Sequence, residues 1–283
     1  MTPLQAAIVA ILQGATELFP VSSLGHAVIL PALLHWDLDQ RAPVFLPFLV
    51  MLHLGTATAL LAYFWRDWWA LLTGVLGLST PHQNQESRRV ALRIVVATIP
   101  AVIVGFMLEK YVRSLFGSPV AAALFLTANG ILLLFGERIR GTGTRQLASL
   151  TIPDALIIGA WQCTALLPGV SRSGATIVGG LLRGIDHEGA AHFSFLIATP
   201  IILGATVLEV PHLLHETVPA GTFQLAFAAA ILSGITAWFS TWFLMRYFRR
   251  SDSQTGEPSL ALNPFGYYCI AAGLGALAWL HFA

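Results

Sequence analysis

Six long apolar runs, at roughly 44 to 64, 90 to 108, 119 to 136, 191 to 209, 222 to 245 and 264 to 282, alternate with two pairs of short ones. Each long run approaches the ~20 residues that a helix needs to cross ~30 Å of hydrocarbon. The short pairs, 4 to 18 with 21 to 35 and 152 to 166 with 172 to 184, break at Phe19-Pro20 and Pro168-Gly169. Runs of about half a span joined by a break predict re-entrant helical hairpins, although 4 to 35 could also form one kinked span. Residues 67 to 80, short and rich in Trp, are expected at the membrane interface.

The order is a hairpin plus three spans, twice. The predicted fold is therefore an all-α polytopic membrane protein of six transmembrane helices and two re-entrant hairpins, in one membrane domain. Its halves are 1–141 and 150–283, joined near Gly141 to Ser149. Thr16-Glu17-Leu18-Phe19-Pro20 is echoed by Thr164-Ala165-Leu166-Leu167-Pro168, Ser23 and Ser171 each stand three residues past their Pro, and Leu54-Gly55 is echoed by Leu203-Gly204. An odd number of crossings per half makes the two halves an inverted repeat, an architecture in which broken helices meet near the midplane.

Composition agrees with this pattern. Hydrophobic residues make up 56% and charged residues 10%, against roughly 25% charged in a soluble domain. No basic tail for nucleic acid is present, and Cys163 and Cys269 suggest no disulfide framework. The N-terminus lacks the positive flank and small-residue site of a removable signal peptide. Net charge is +1, but its distribution is uneven. Arg66, Arg88, Arg89, Arg138, Arg140, Arg145, Arg246, Arg249 and Arg250 fall on one side, Arg41, Lys110 and Arg113 on the other. The richer side is expected in the cytoplasm, which places both termini outside.

Candidate chemistry sits at the two breaks. Gln13 and Glu17, four apart on a helix, share a face. A carboxylate in hydrocarbon costs at least ~2.5 kcal/mol by insertion scales, so Glu17 is a functional candidate. A metal ion and Arg172 are its natural partners, and a purely structural Glu17 to Arg172 ion pair is the plainer alternative. Ser22 suits an N-cap. Ser23 becomes a candidate nucleophile because His26, three residues on, could take its proton. In the second break, Gly169 permits close backbone approach, Arg172 offers a fork for phosphate oxygens, and Ser171, Ser173 and Thr176 add donors around a helix N-terminus. Nucleophile, base, carboxylate and cationic clamp form a parts list for hydrolytic phosphoryl transfer. His53 reads as a hydrogen-bonded packing residue, Asn129 and Gln224 as interhelical bonds, and Arg183, Asp186, His187 and Glu188 as a solvated turn.

At these residues the chain resembles the undecaprenyl pyrophosphate phosphatase family, the integral membrane type associated with bacitracin resistance. The likeness rests on Q-x-x-x-E at Gln13 to Glu17, PVSSLGH at Pro20 to His26, PGVSRSGAT at Pro168 to Thr176 and HFSFLIATPIILGA at His192 to Ala205. It implies dephosphorylation of a C55 isoprenyl pyrophosphate to the monophosphate at the outer face of the bacterial cell (inner) membrane, recycling the lipid for cell-wall synthesis. It also implies a divalent cation, Mg²⁺ or Ca²⁺, and suggests a homodimer. Carried over, Glu17 is a metal or catalytic carboxylate with Gln13 as second metal ligand, Ser23 the nucleophile, and His26 a base or relay. Arg172 becomes the pyrophosphate binder, supported by Ser171, Ser173, Thr176, Gly169 and Ser22. Whether Ser23 or His26 attacks phosphorus is left open by spacing. Gln13 stands where many relatives carry Glu, which weakens a two-carboxylate metal site; His187 stands where relatives commonly carry Arg and is given no phosphate role. The rival reading is an inverted-repeat transporter or flippase of a polyprenyl phosphate lipid.

Overall fold

The computed structural model describes residues 1–36, 45–115, 117–140, 143–215, 221–252 and 260–282. Arg41, Gly141 and Thr142, which entered the orientation and half-boundary expectations, lie outside the described residues, as do the side chains of Lys110 and Arg113. Among the described residues the chain is helical with no strand, and five helices are long and apolar enough to cross a membrane. A sixth is reached if one bent pair counts as a span. The chain is a multi-pass membrane protein.

The first short pair is α1 (Pro3–Thr16) and α2 (Ser23–Leu33). Helix α3 (Phe45–Tyr63) then bends by 76° into α4 (Trp65–Val75), so the Trp-rich stretch leaves the direction of the span before it. Next come α5 (Pro81–Leu115) and α6 (Pro119–Ile139). The second short pair is α7 (Ile152–Gln162), prolonged by a 3₁₀ turn at Cys163–Leu166, and α8 (Arg172–Leu182). Three long helices, α9 (His187–His215), α10 (Thr222–Asp252) and α11 (Asn263–Phe282), complete the chain. Several outrun their apolar stretch: α5 starts nine residues before position 90, over a polar turn rich in Gln and Arg, because a helix can continue into water where lipid no longer demands apolar side chains.

Both short pairs open with the same device. Thr2 caps α1 in a capping box with Gln5, and Thr151 caps α7 in one with Asp154, each with Pro in the first turn. Both also restart on a serine N-cap: Ser22 accepts from the Gly25 N–H and Ser171 from the Gly174 N–H. Ser22 adopts φ +63°, a left-handed conformation uncommon for a residue with a β-carbon. Such strain persists only where the surroundings over-determine it.

Within the bundle, α6 packs on α11, α3 on α10 and α9, α1 on α10, and α7 on α5. One apolar core runs through Leu18, Leu60, Leu126, Ile177, Phe195 and Phe248. Outward-facing residues such as Val102, Phe106 and Phe239 remain exposed, as expected for surfaces that meet lipid.

The expected solvated turn at Arg183 to Glu188 holds for the exposed Arg183 and is corrected at His187. His187 is fully buried, with Nδ1 2.7 Å from Asp252 Oδ1 and Nε2 3.1 Å from both Glu137 oxygens. Glu137 also accepts from Arg140 and from the Leu262 N–H. Arg183 reaches Asp154 at 2.7 Å, and Arg145 reaches it at 2.8 Å. The partners of His187 and Arg183 lie 29 or more positions away in the chain, so local polarity could not distinguish this network from a solvated loop. Gln224 is exposed and makes no interhelical bond among the described residues. Cys163 and Cys269 are free thiols, as expected.

Candidate active site

The breaks of the two short pairs meet. Asn129 of α6, fully buried, donates from Nδ2 to the Pro20 carbonyl at 2.9 Å and accepts on Oδ1 from the Ser171 N–H at 3.0 Å. One side-chain amide thus fastens both breaks to the same helix. Ser173 Oγ donates to the Phe19 carbonyl at 3.0 Å, and Ser171 Oγ lies 3.4 Å from the same carbonyl. These bonds satisfy backbone acceptors that a broken helix leaves open in a low-dielectric interior.

Around this junction lies a cavity of about 240 Å³, lined by Glu17, Ser22, Ser23, His53, Ser171 and Arg172, with apolar walls from α3 and α9. Glu17 is the hub of its polar side. Its Oε2 accepts from Ser23 Oγ at 2.5 Å and from Gln13 Nε2 at 3.0 Å, and His53 Nε2 stands 3.4 Å away. Its Oε1 accepts from Arg172 Nη2 at 3.1 Å. A second guanidinium nitrogen, Nη1, donates to the Ser194 carbonyl at 3.3 Å, which fixes the plane of the fork. The shortest of these contacts joins a hydroxyl to a carboxylate, the charge-assisted pair that polarises an O–H bond.

Several residues stand elsewhere than the sequence suggested. His26 makes no bond to Ser23. Its Nδ1 lies 2.6 Å from the Ser22 carbonyl and its Nε2 2.7 Å from the Tyr268 hydroxyl, with the two rings stacked at 5.7 Å. Spacing of three puts a residue near the same face, but the imidazole folds back on the preceding turn, where the Ser22 carbonyl, which already accepts the His26 N–H, takes a second contact from the ring. Ser173 and Thr176 are fully buried and do not line the cavity; Thr176 Oγ1 bonds the Arg172 carbonyl and Ser194 Oγ. Gly169, at φ +109°, lets α6 rather than a ligand come close, since a side chain there would meet the Ala122 carbonyl and the Leu126 N–H. Gln13 and Glu17 do share a face, Ser22 is an N-cap, and Arg172 reaches Glu17.

Two contributors were not singled out by sequence. His53, read as packing, holds Nδ1 2.7 Å from the Leu49 carbonyl and turns Nε2 toward Glu17. Asn129, read as an ordinary interhelical bond, joins both breaks. The only sequence trace of either is a polar side chain within an apolar run, a weak signal.

The model of the bacitracin resistance protein BacA family matches residues 6–275. This chain belongs to that family. A Granulibacter bethesdensis protein named undecaprenyl-diphosphatase is 63% identical over 296 aligned positions, covering 100% of this chain and 98% of the relative. A protein of the same name from Acidiphilium cryptum is 57% identical, covering 100% and 99%. Undecaprenyl-diphosphatase 2 of Chromobacterium violaceum is 46% identical, covering 98% of each. The BacA match takes in both breaks and every residue of the cavity.

A divalent ion finds few ligands of its own among the described residues, where no group of three or more His, Cys, Asp or Glu side chains forms a site. Glu17 offers one carboxylate, and Gln13 Oε1 is a buried acceptor with no partner. Such a sparse oxygen set fits Mg²⁺, which is commonly held by one or two carboxylates together with substrate phosphates.

Proposed function

We propose that this protein hydrolyses undecaprenyl diphosphate to the monophosphate and inorganic phosphate, with Ser23 as nucleophile, Glu17 as its base and Arg172 as the diphosphate clamp. One observation carries the reading: Ser23, Glu17 and Arg172 face one small cavity between two broken helices, and the serine proton already points at a carboxylate. Glu17 accepts that proton as Ser23 Oγ forms a bond to the terminal phosphorus. The bond from that phosphorus to the bridging oxygen breaks, and the lipid monophosphate leaves. The proton on Glu17 passes to the departing monophosphate oxygen, so the regenerated carboxylate takes a proton from the water that attacks the phosphoserine and passes it to Ser23 Oγ as phosphate is released. Arg172 and the N-terminus of α2 oppose the charge that collects on the phosphoryl oxygens, the largest source of rate in such transfers. His53 is a positioning residue that holds Glu17 from the side opposite Arg172.

A divalent cation, Mg²⁺ or Ca²⁺, would be held by Glu17 and Gln13 with substrate oxygens and would neutralise diphosphate charge. The apolar walls of the cavity suit the first isoprene units. Ser171, Ser173, Thr176 and Gly169 build the frame that presents Arg172, and His26 braces the cap of α2.

The two short pairs act as re-entrant hairpins in an inverted repeat of six spans, with halves 1–141 and 150–283. The exchange of packing partners supports this: α1 lies on α10 while its counterpart α7 lies on α5, and α6 and α11 pair with each other. The Arg count favours termini and a first-hairpin entry on the external side of the bacterial inner membrane, the side on which recycling of a carrier lipid would act. A homodimer is the proposed assembly. The transporter reading explains Arg172 but gives no use to a Ser23 hydroxyl bonded to Glu17. Purified protein in detergent with a polyprenyl diphosphate decides between them: phosphate release is expected, and its absence at every divalent ion concentration would refute hydrolysis.

A further inference from the structure

A cavity of about 660 Å³, larger than the one at the breaks, lies among α4, α5, the turn at 147–150 and the start of α9. No residue of the two break motifs lines it, although His192, Phe193 and Leu196 of the third motif do. Its position is interfacial: α4 turns 76° away from α3 and exposes Trp65 and Trp69, whose rings favour the headgroup level. The Arg66, Arg88 and Arg89 cluster belongs to the same end of the bundle, assigned above to the cytoplasm.

The cavity's charged residues are unusual for what they do not bond. Among the described residues, Arg93 makes no hydrogen bond or ion pair, although it is half-buried on α5; it lies within the fields of Glu86, Asp154 and Arg89 without touching them. The neighbouring carboxylate of Asp154 is already taken by Arg145 and Arg183. His192 stacks on Phe64 at 4.7 Å, and its Nε2 is buried without a hydrogen bond, 3.5 Å from Asp67 Oδ2. Asp67 and Glu86 add two carboxylates to the lining. Leu71, Phe193 and Leu196 supply an apolar wall. Leaving a guanidinium without a hydrogen-bond partner at the edge of hydrocarbon is expensive, and so is burying an unsatisfied donor.

We propose that this cavity holds the headgroup of an aminophospholipid, with the phosphate against Arg93 and His192 and the ammonium against Asp67 and Glu86. The pattern of charge selects this occupant. A simple phosphate would satisfy Arg93 and be repelled by two carboxylates. An acidic phospholipid would do the same, while an amine alone would leave Arg93 unpaired. A zwitterion at headgroup depth matches both signs, and its acyl chains continue along the apolar wall toward the bilayer.

The test is native mass spectrometry of the detergent-purified full chain with phosphatidylethanolamine, phosphatidylglycerol and phosphatidylcholine, and with water-soluble glycerophosphoethanolamine. Wild type is expected to retain phosphatidylethanolamine about tenfold better than the other two lipids, and Arg93→Gln to lose about tenfold in that retention, the scale of one charge-assisted bond. Asp67→Asn with Glu86→Gln should erase the preference over phosphatidylglycerol. Hydrolysis of a polyprenyl diphosphate should stay within about twofold in these variants, since none of them touches the cavity at the breaks. Equal retention of phosphatidylglycerol by wild type, or unchanged retention by Arg93→Gln, overturns the proposal. Stoichiometric uptake of glycerophosphoethanolamine in place of lipid would assign the site to a soluble compound and also overturn it. If Arg93→Gln fails to fold, the carboxylate pair alone decides the matter.

Discussion

Ser23 Oγ and Glu17 Oε2 lie 2.5 Å apart across the break between α1 and α2, although six residues of chain separate them. The loop at Phe19-Pro20 folds so that the first residue of α2 returns to the C-cap of α1. Ser23→Ala removes the attacking atom and should lower turnover by roughly 10³-fold or more, while Glu17→Gln, which keeps shape but not basicity, should cost about 10²- to 10⁴-fold. Phosphate release with a polyprenyl diphosphate, alongside a check of folding by size exclusion, measures both. Near-normal activity of Ser23→Ala would remove the nucleophile assignment.

His26 and His53 exchange the importance that sequence gave them. His53→Ala should lower kcat more than it raises KM, because Glu17 loses a positioning contact, and His53→Gln should restore part of the loss. His26→Ala is expected to cost less than about tenfold, a cost set by the lost bonds to the Ser22 carbonyl and Tyr268. If His26→Ala abolishes turnover while Ser23→Ala retains most of it, the histidine becomes the nucleophile.

Asn129→Ala should act on catalysis from a distance. It leaves the Pro20 carbonyl and the Ser171 N–H without their partner, a destabilisation of about 1–3 kcal/mol for each group stranded in the interior. Thermal unfolding in detergent should shift downward, and residual turnover should fall with KM little changed, since no substrate contact is lost. A variant as stable and active as wild type would mean that the breaks hold together without this amide.

Chelation addresses the ion. With EDTA the hydrolysis rate should collapse and should return on adding Mg²⁺ or Ca²⁺, because one carboxylate and one amide oxygen hold an ion only together with substrate. Full activity in excess EDTA would leave charge neutralisation to Arg172 and the helix N-terminus alone.

Orientation is checked by cysteine labelling in a background lacking Cys163 and Cys269. Ser251→Cys should react from the cytoplasmic side and Gly117→Cys from the outside. The opposite pattern would invert the topology and move the entry to the first cavity to the other leaflet.

Sequence by itself determined the helical class, the presence of several membrane-length apolar helices, the two breaks and the residue types that meet there, because hydrocarbon forbids unpaired polar backbone and makes every polar exception visible. Helical spacing also placed Gln13 beside Glu17, a local relation. What tertiary structure decided were the partnerships: His26 turned to Tyr268, His53 turned to Glu17, Ser173 and Thr176 drawn into the frame, His187 enclosed by Glu137 and Asp252. Each of these depends on which helices lie side by side. A polar atom in a dry interior bonds to whichever donor or acceptor the packing brings within 3 Å, and one-dimensional order does not carry that distance.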